Sequence, residues 1–176
     1  HSYSSAASDV YKRQDHEGAD PNVWRFDNGW LPISDLYNDH LEAGEGFVIY
    51  VYSDTDYDGE DDLPVTIGVD GTLNESSVSV SSNASDWNLV GNPYGLHINI
   101  NQMLNDNSSK FHSTVYKKDN VNPGYKTHNG IIGDIHEGLI KPFDGFWVQA
   151  GPEGHSFDFS EHCMQKGHMV HNGGAR

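Results

Sequence analysis

An acidic run between residues 54 and 62 has the residue types and spacing of a calcium-binding loop. The candidate ligands are Asp54, Asp56, Asp58 and Asp62. Alternate carboxylates can converge on one hard cation while Gly59 permits a sharp turn, which makes Ca²⁺ the candidate cofactor. Position twelve is Val65 and not the glutamate that completes an EF-hand. The alternative interpretation is a solvated acidic hairpin that protects a sheet edge.

Imidazole and thiol groups gather towards the other end of the sequence, at His155, His162, Cys163, His168 and His171. These are ligand types that zinc prefers, and a tetrahedral site needs four of them. His162 and Cys163 are adjacent, however, and neighbours on a strand point to opposite faces. The spacing therefore argues against a zinc site.

The tryptophans and several tyrosines could form a platform that stacks on the apolar faces of sugar rings. Trp87 and Trp147 lie in predicted strands, Trp87–Gly91 and Gly145–Ala150, whose other apolar residues are taken as the pattern of strands buried on both faces. We therefore predict that these two side chains belong to the core. Trp30, beside Gly29 and a turn, is the tryptophan expected to be exposed.

Signatures of catalysis are missing from the sequence. It contains no G-x-S-x-G elbow, no H-E-x-x-H pair, no P-loop and no G-x-G-x-x-G fingerprint. Carboxylate pairs such as Asp134 and Glu137 have the groups that glycoside hydrolysis uses, but that chemistry depends on a separation that a sequence does not give. We predict that the protein is not an enzyme.

Composition limits the partners. The 176 residues contain 10 Lys and Arg against 26 Asp and Glu, for a formal net charge of −16. This charge repels phosphate backbones and anionic lipid surfaces, so nucleic acid is not an expected partner. The longest apolar stretch, 46–52, is far shorter than the roughly 20 residues of a membrane span, so no membrane insertion is expected. Cys163 is the only cysteine, which excludes an internal disulfide.

The first fourteen residues, HSYSSAASDVYKRQ, resemble a translated sequencing adapter from a metagenomic assembly. We expect residues 1–14 to be an artefact and disordered, and we exclude them from the functional argument. No signal peptide is visible, which indicates a fragment that lacks its true N-terminus. Residues 168–176 are expected to be a frayed tail at a truncated boundary.

Apolar residues alternate with a period near two, between turns rich in Gly, Asn, Asp and Pro, which predicts an all-β protein. The predicted strands are Val23–Phe26, Gly46–Tyr52, Pro64–Val69, Ser77–Ser81, Trp87–Gly91, Thr114–Lys117, Gly145–Ala150 and His155–Phe159. One short helix is predicted at Ile98–Leu104. Such spacing indicates a β-sandwich or a jelly-roll-like fold.

Two segments of the sequence are similar to each other. LEAGEGFVIYV at 41–51 aligns with IKPFDGFWVQA at 140–150, so that Gly46 corresponds to Gly145. A glycine before an aromatic strand serves a tight turn or a close approach to another strand. We therefore predict two related β units, 15–85 and 86–167, packed together. Chance similarity between two strands is the alternative.

The segment WNLVGNPY, from Trp87 to Tyr94, resembles the W-N-L-V-G-N-P-Y-P-S segment of large proteins exported by the type IX secretion system. The further matching segments are Gly44 to Tyr50, Val115-Tyr116, Gly124-Tyr125 to Asn129-Gly130, Ile140 to Ala150 and Phe157 to Glu161. The sequence departs from the pattern at Gly95-Leu96, where Pro-Ser is usual, and at Phe143, where glycine is usual. Physically, Asn92 and Pro93 indicate a strand end, with the Tyr94 ring packed and its hydroxyl in water.

This resemblance implies export and supplies no catalytic residues. The sequence thus predicts a non-catalytic structural or adhesive β module of a larger secreted or cell-surface protein, with calcium as a candidate stabilising ion. Its expected partners are neighbouring domains of the same polypeptide and an extracellular glycan or protein. The alternative is a carbohydrate-binding module of an exported polysaccharide-degrading enzyme, and a truncated hydrolase domain is the third hypothesis. Exposed aromatic rings would favour the binding module, whereas a cleft with paired carboxylates would favour the hydrolase.

Overall fold

The computed structural model describes residues 21–33, 40–54, 58–64 and 72–165. Strands in antiparallel sheets dominate this part of the chain, which confirms the predicted all-β class. The strands are β1 (Val23–Phe26), β2 (Trp30–Pro32), β3 (Phe47–Ile49), β4 (Val78–Ser81), β5 (Trp87–Gly91), β6 (Ile98–Asn99), β7 (Phe111–Lys118), β8 (Tyr125–His128), β9 (Leu139–Ile140), β10 (Gly145–Ala150) and β11 (Ser156–Phe159). The helix α1 spans Ile100–Asp106, and 3₁₀ turns lie at His136–Gly138 and Glu161–Cys163.

The central sheet has four strands in the order β5-β10-β7-β8. Along β10, Phe146, Val148 and Ala150 are buried, while the alternate residues are more exposed. The buried side packs against Phe157 and Phe159 of β11, whose rings meet the ring of Phe146 edge to face. One face of this sheet therefore covers the main core, and the other faces outward.

A smaller sheet, β2-β1-β3, lies against the free edge of β5. The Gly46 amide donates to the Leu89 carbonyl across 3.3 Å, and the Gly91 amide donates to the Gly44 carbonyl across 2.9 Å. A Cβ at Gly46 would lie 2.9 Å from the Val90 nitrogen, so only glycine permits this approach. β5 is thus bonded on both of its edges.

The two similar segments lie on opposite sides of β5. Residues 44–46 bond to one edge, while Gly145 pairs with Gly91 at the other. Their environments nevertheless differ, because Phe146 is fully buried and Phe47 is 41% exposed. The close approach expected of both glycines is found at Gly46, whereas a Cβ at Gly145 would meet nothing nearer than 3.8 Å.

The segment that ends in NPY closes the core by hydrogen bonds to the main chain. The buried Asn92 amide donates to the carbonyls of Leu96 and Lys141 at 2.9 and 3.0 Å, and its oxygen accepts from the Tyr94 amide at 2.9 Å. The Tyr94 ring is fully buried, as is its hydroxyl, which donates to the carbonyl of Phe159. The expectation that this hydroxyl is in water was wrong, and burial raises its pKa to about 12.

Most predicted strands are found, and β1, β5 and β10 have the predicted bounds. The helix begins two residues later than predicted, because Ile98 and Asn99 first pair with β9. The Asn99 side chain then accepts from the Gln102 amide and caps the helix. Residues 65–69 of the predicted strand Pro64–Val69 lie outside the described residues, as do 1–14 and 168–176. No helix in the described ranges is long and apolar enough to cross a membrane.

Candidate functional site

The outward side of the four-stranded sheet carries aromatic side chains on each of its strands. Register and alternation place Trp87, Trp147, Tyr116 and Tyr125 on this side, from β5, β10, β7 and β8 respectively. Trp87 is 37% exposed and Tyr125 is 53% exposed, while Trp147 and Tyr116 are half-buried. The prediction that Trp87 and Trp147 are core residues was therefore wrong.

The reason for this error lies in the neighbour of Trp87. Asn88 points inward and is buried, and its oxygen accepts from the Asn83 amide at 2.7 Å. Its amide nitrogen donates to the carbonyls of Asn83 and Asp86 at 3.0 and 3.1 Å. Because these bonds satisfy its polar atoms, the Asn88 side chain can lie in the interior. Trp87, the neighbouring residue on the strand, therefore faces outward.

Two rings from the smaller sheet extend the same surface over Trp147. The Phe26 and Trp147 ring centroids are 4.8 Å apart, and those of Trp30 and Trp147 are 5.8 Å apart, both edge to face. Trp30 is 48% exposed, as predicted from its turn. We call the combined surface the aromatic face, and its members are Phe26, Trp30, Trp87, Tyr116, Tyr125 and Trp147.

Edge-to-face contacts hold the rings of the aromatic face in fixed orientations. Trp87 meets Tyr116 at 5.0 Å across the central strand, and Lys118 lies 5.4 Å above the Tyr125 ring. Gln149, which pairs with Trp87 in the register, supplies an amide among the rings. Rigid rings bordered by amide and ammonium donors can pack on the C–H faces of a sugar and bond its hydroxyls.

The sequence did not indicate every member of the aromatic face. Phe26 and Tyr116 each stand within predicted strands, but neither was assigned to a side of a sheet. Tyr125 lies on β8, whose sequence YKTH lacks the apolar alternation that predicts a strand. The signal that could have found Tyr116 is its position one residue after Val115, since a buried valine places the next side chain outward.

In the described residues of the acidic loop, main-chain amides donate to carbonyl and carboxylate oxygens of the same loop. The Asp62 amide donates to the Ser53 carbonyl at 2.7 Å, and an Asp54 oxygen accepts from the Gly59 amide at 2.9 Å. Asp58 accepts from the Glu60 amide, also at 2.9 Å. Asp56 lies outside the described residues. No metal-binding group of three or more acidic, His or Cys side chains is found in the described part, and calcium stays a prediction.

The C-terminal His and Cys residues do not come together where the chain is described. Cys163 is fully buried, and its thiol donates to the Ser160 carbonyl at 2.9 Å. Burial raises the pKa of this thiol to about 12, as expected of a thiol enclosed in the core. His155 and His162 are exposed, and His168 and His171 lie outside the described residues.

The fold and this surface define an all-β protein with an aromatic face on one side of its central sheet. Comparisons with protein-family models, with curated proteins and with solved structures found no match to the chain.

Proposed function

We propose that the chain is a non-catalytic adhesive module of a larger secreted or cell-surface protein and that it binds an extracellular glycan through the aromatic face. The single observation that carries this proposal is the surface itself: six aromatic residues share it, and Trp30 and Trp87 remain 48% and 37% exposed. Exposed rings on one sheet face are the feature that distinguishes a carbohydrate-binding module from a purely structural one.

The glycan is proposed to be a neutral polysaccharide. With a formal net charge of −16, the chain repels polymers of uronic acids or sulfated sugars. Rings bind neutral sugars through C–H contacts and the hydrophobic effect, neither of which needs a charge on the ligand. A surface with rings on four neighbouring strands also suits an extended chain better than a single sugar. The resemblance to exported proteins supports the extracellular setting.

The test is binding of the full chain to soluble neutral polysaccharides of the β-glucan, xylan and mannan types, measured by affinity electrophoresis and calorimetry. Trp87→Ala and Trp30→Ala should each weaken binding by about 30-fold, the effect of losing an interface tryptophan worth about 2 kcal/mol. The matched control is Tyr50→Ala, which removes a ring that is 63% exposed but lies outside the aromatic face. It should bind as the unmodified chain does.

Binding should also depend on the charge of the polysaccharide. A neutral polymer should bind with little dependence on salt, while an alginate-type polyanion should not bind at low ionic strength. If none of the neutral polymers binds, or if both tryptophan variants bind as tightly as the Tyr50 variant, the aromatic face is not a glycan site. Near-ultraviolet circular dichroism of each variant establishes that its fold is intact.

A further inference from the structure

A concave site lies at the end of β8, apart from the aromatic face. It is a cavity of about 490 Å³ between the start of α1, the loop after β8 and the 3₁₀ turn at His136–Gly138. Its volume falls within the range of small-molecule sites. The residues that supply chemistry to it are Asn99, Asn101, His128, Ile131, Ile132 and Glu137.

A buried imidazole in the cavity wall has one nitrogen without a hydrogen-bond partner among the described residues. His128 is 7% exposed, and its Nδ1 accepts from the Gly130 amide across 3.0 Å. An accepting Nδ1 in a neutral ring places the proton on Nε2. Nε2 has no hydrogen-bond partner within the described ranges. Since a buried polar group without a partner is costly, this N–H donor indicates a place where a ligand oxygen can bind.

The backbone beside His128 leaves the space next to Nε2 free of a side chain at position 138. A Cβ at Gly138 would stand 3.0 Å from Cε1 and 3.1 Å from Nε2 of the imidazole ring, so any larger residue would crowd that edge. Gly138 has φ of +63°, and Glu137 before it has φ of +54°, a conformation that costs a residue with a side chain some free energy. The turn thus combines an open space at the imidazole with a carboxylate at the rim.

Two isoleucines from the loop after β8 also line the cavity. Ile131 is 80% exposed and Ile132 is 70% exposed, which is unusual for two adjacent large apolar residues. Their amides donate to the Asn129 side-chain oxygen at 3.0 and 2.9 Å. The loop therefore presents both side chains at the cavity rim in a hydrogen-bonded turn.

We propose that this cavity binds one neutral saccharide unit. His128 Nε2–H donates to a ligand hydroxyl oxygen, the Glu137 carboxylate accepts from another hydroxyl, and the isoleucine pair packs on the C–H face of the ring. A ligand with both hydroxyls and apolar C–H surface matches this mixture of one donor, one anion and an aliphatic wall. The site is separate from the aromatic face and does not depend on the function proposed for that surface.

The test uses methyl glycosides of glucose, galactose, mannose and N-acetylglucosamine as probes of the full ¹⁵N-labelled chain by NMR. A binding probe should shift the His128 Nε2 resonance and the amide signals of Ile131 and Ile132. His128→Asn retains an acceptor for the Gly130 amide but lacks the Nε2 donor, and it should weaken binding at least tenfold. Gly138→Ala should do the same by filling the space.

His112→Asn is the matched control, because His112 is exposed on β7 and does not line the cavity. The shifts are read at His128, Ile131 and Ile132, which line the cavity and lie outside the aromatic face, so failure of one site is distinguishable from failure of the other. The proposal is overturned if no probe shifts the His128 resonance at tens of millimolar. It is equally overturned if a folded His128→Asn variant binds as the unmodified chain does.

Discussion

The Tyr94 hydroxyl donates to the main-chain carbonyl of Phe159, 2.8 Å away and on the last strand of the described chain. The same hydroxyl lies 3.1 Å from the Ser76 carbonyl, just before β4. One phenol therefore joins the segment after β5 to β11 and to the residues just before β4. Tyr94 of the NPY segment therefore has a structural role.

Tyr94→Phe should destabilise the fold while leaving its shape unchanged. The ring stays buried, but the Phe159 carbonyl loses its donor, and an unsatisfied buried group costs about 1–3 kcal/mol. Urea unfolding followed by tryptophan fluorescence measures the change. The comparison is Tyr125→Phe, which removes an exposed hydroxyl and should alter the unfolding free energy by less than about 0.5 kcal/mol. Equal stabilities of the two variants would contradict the structural role of the Tyr94 hydroxyl.

Phe143→Gly should stabilise the protein. Phe143 adopts φ of +61° and is 59% exposed, so the substitution relieves the left-handed conformation and removes little packing. The net gain is expected to be about 1 kcal/mol, which raises Tm by a few degrees in a chain of this size. Phe143→Ala removes the same ring and keeps the conformational penalty, so it should show no gain. A Tm for Phe143→Gly at or below that of Phe143→Ala would argue against this explanation.

Stability should fall at alkaline pH because two buried groups resist ionisation. Burial, with a smaller effect of Asp106, raises the pKa of Cys163 from 9.0 to about 12, and burial raises that of Tyr94 from 10.0 to about 12. The folded pKa exceeds the unfolded one in both cases. Their contribution is therefore fully present below pH 9 and is lost as the pH rises towards 12.

Urea unfolding at pH 8 and at pH 10.5 measures this loss. Cys163→Ala removes the only thiol and should reduce the difference in unfolding free energy between the two pH values, whatever its effect at pH 8. A pH dependence that is the same with and without the thiol would show that Cys163 does not contribute.

Removal of divalent cations tests the acidic loop. Asp54 and Asp58 already accept hydrogen bonds from main-chain amides of the loop, so we expect EDTA to leave Tm unchanged. A ligand that binds only the folded state must raise its stability, and a rise in Tm with millimolar Ca²⁺ would instead establish the calcium site. Asp54→Asn, which keeps an acceptor for Gly59 but loses the charge, should abolish such a rise if it occurs.

Local patterns predicted the strands well where side-chain type and burial agree. β10 has its predicted bounds because Phe146, Val148 and Ala150 alternate towards the core, and β1 has its predicted bounds with Val23 buried. β2 was missed because Trp30–Pro32 is too short for alternation to show and ends in proline, and β8 because YKTH is polar. Ile98 was assigned to the helix because its pairing with Ile140 depends on residues far along the chain.

The candidate sites were harder to predict because asparagine side chains occupy interior positions where apolar side chains are usual. Asn88, Asn92 and Asn107 are buried, and each bonds several main-chain groups, which a sequence pattern does not reveal. Because the Asn88 side chain points inward, the neighbouring Trp87 side chain points outward. The role assigned to Nε2 of His128, which has no partner in the described residues, likewise rests on the bond from the Gly130 amide to Nδ1 and on the space left at Gly138. Both are tertiary contacts that a sequence does not show.

The pairing of β5 has a consequence for how the polypeptide can be divided. A cut between residues 85 and 86 would strip residues 44–46 from one edge of β5 and separate β4 from its partner β11. Both pieces would then carry bare strand edges, the templates along which chains pair and aggregate. The segment from β1 to β11 is for this reason the smallest unit to express, and neither half is expected to stay soluble when it is produced alone.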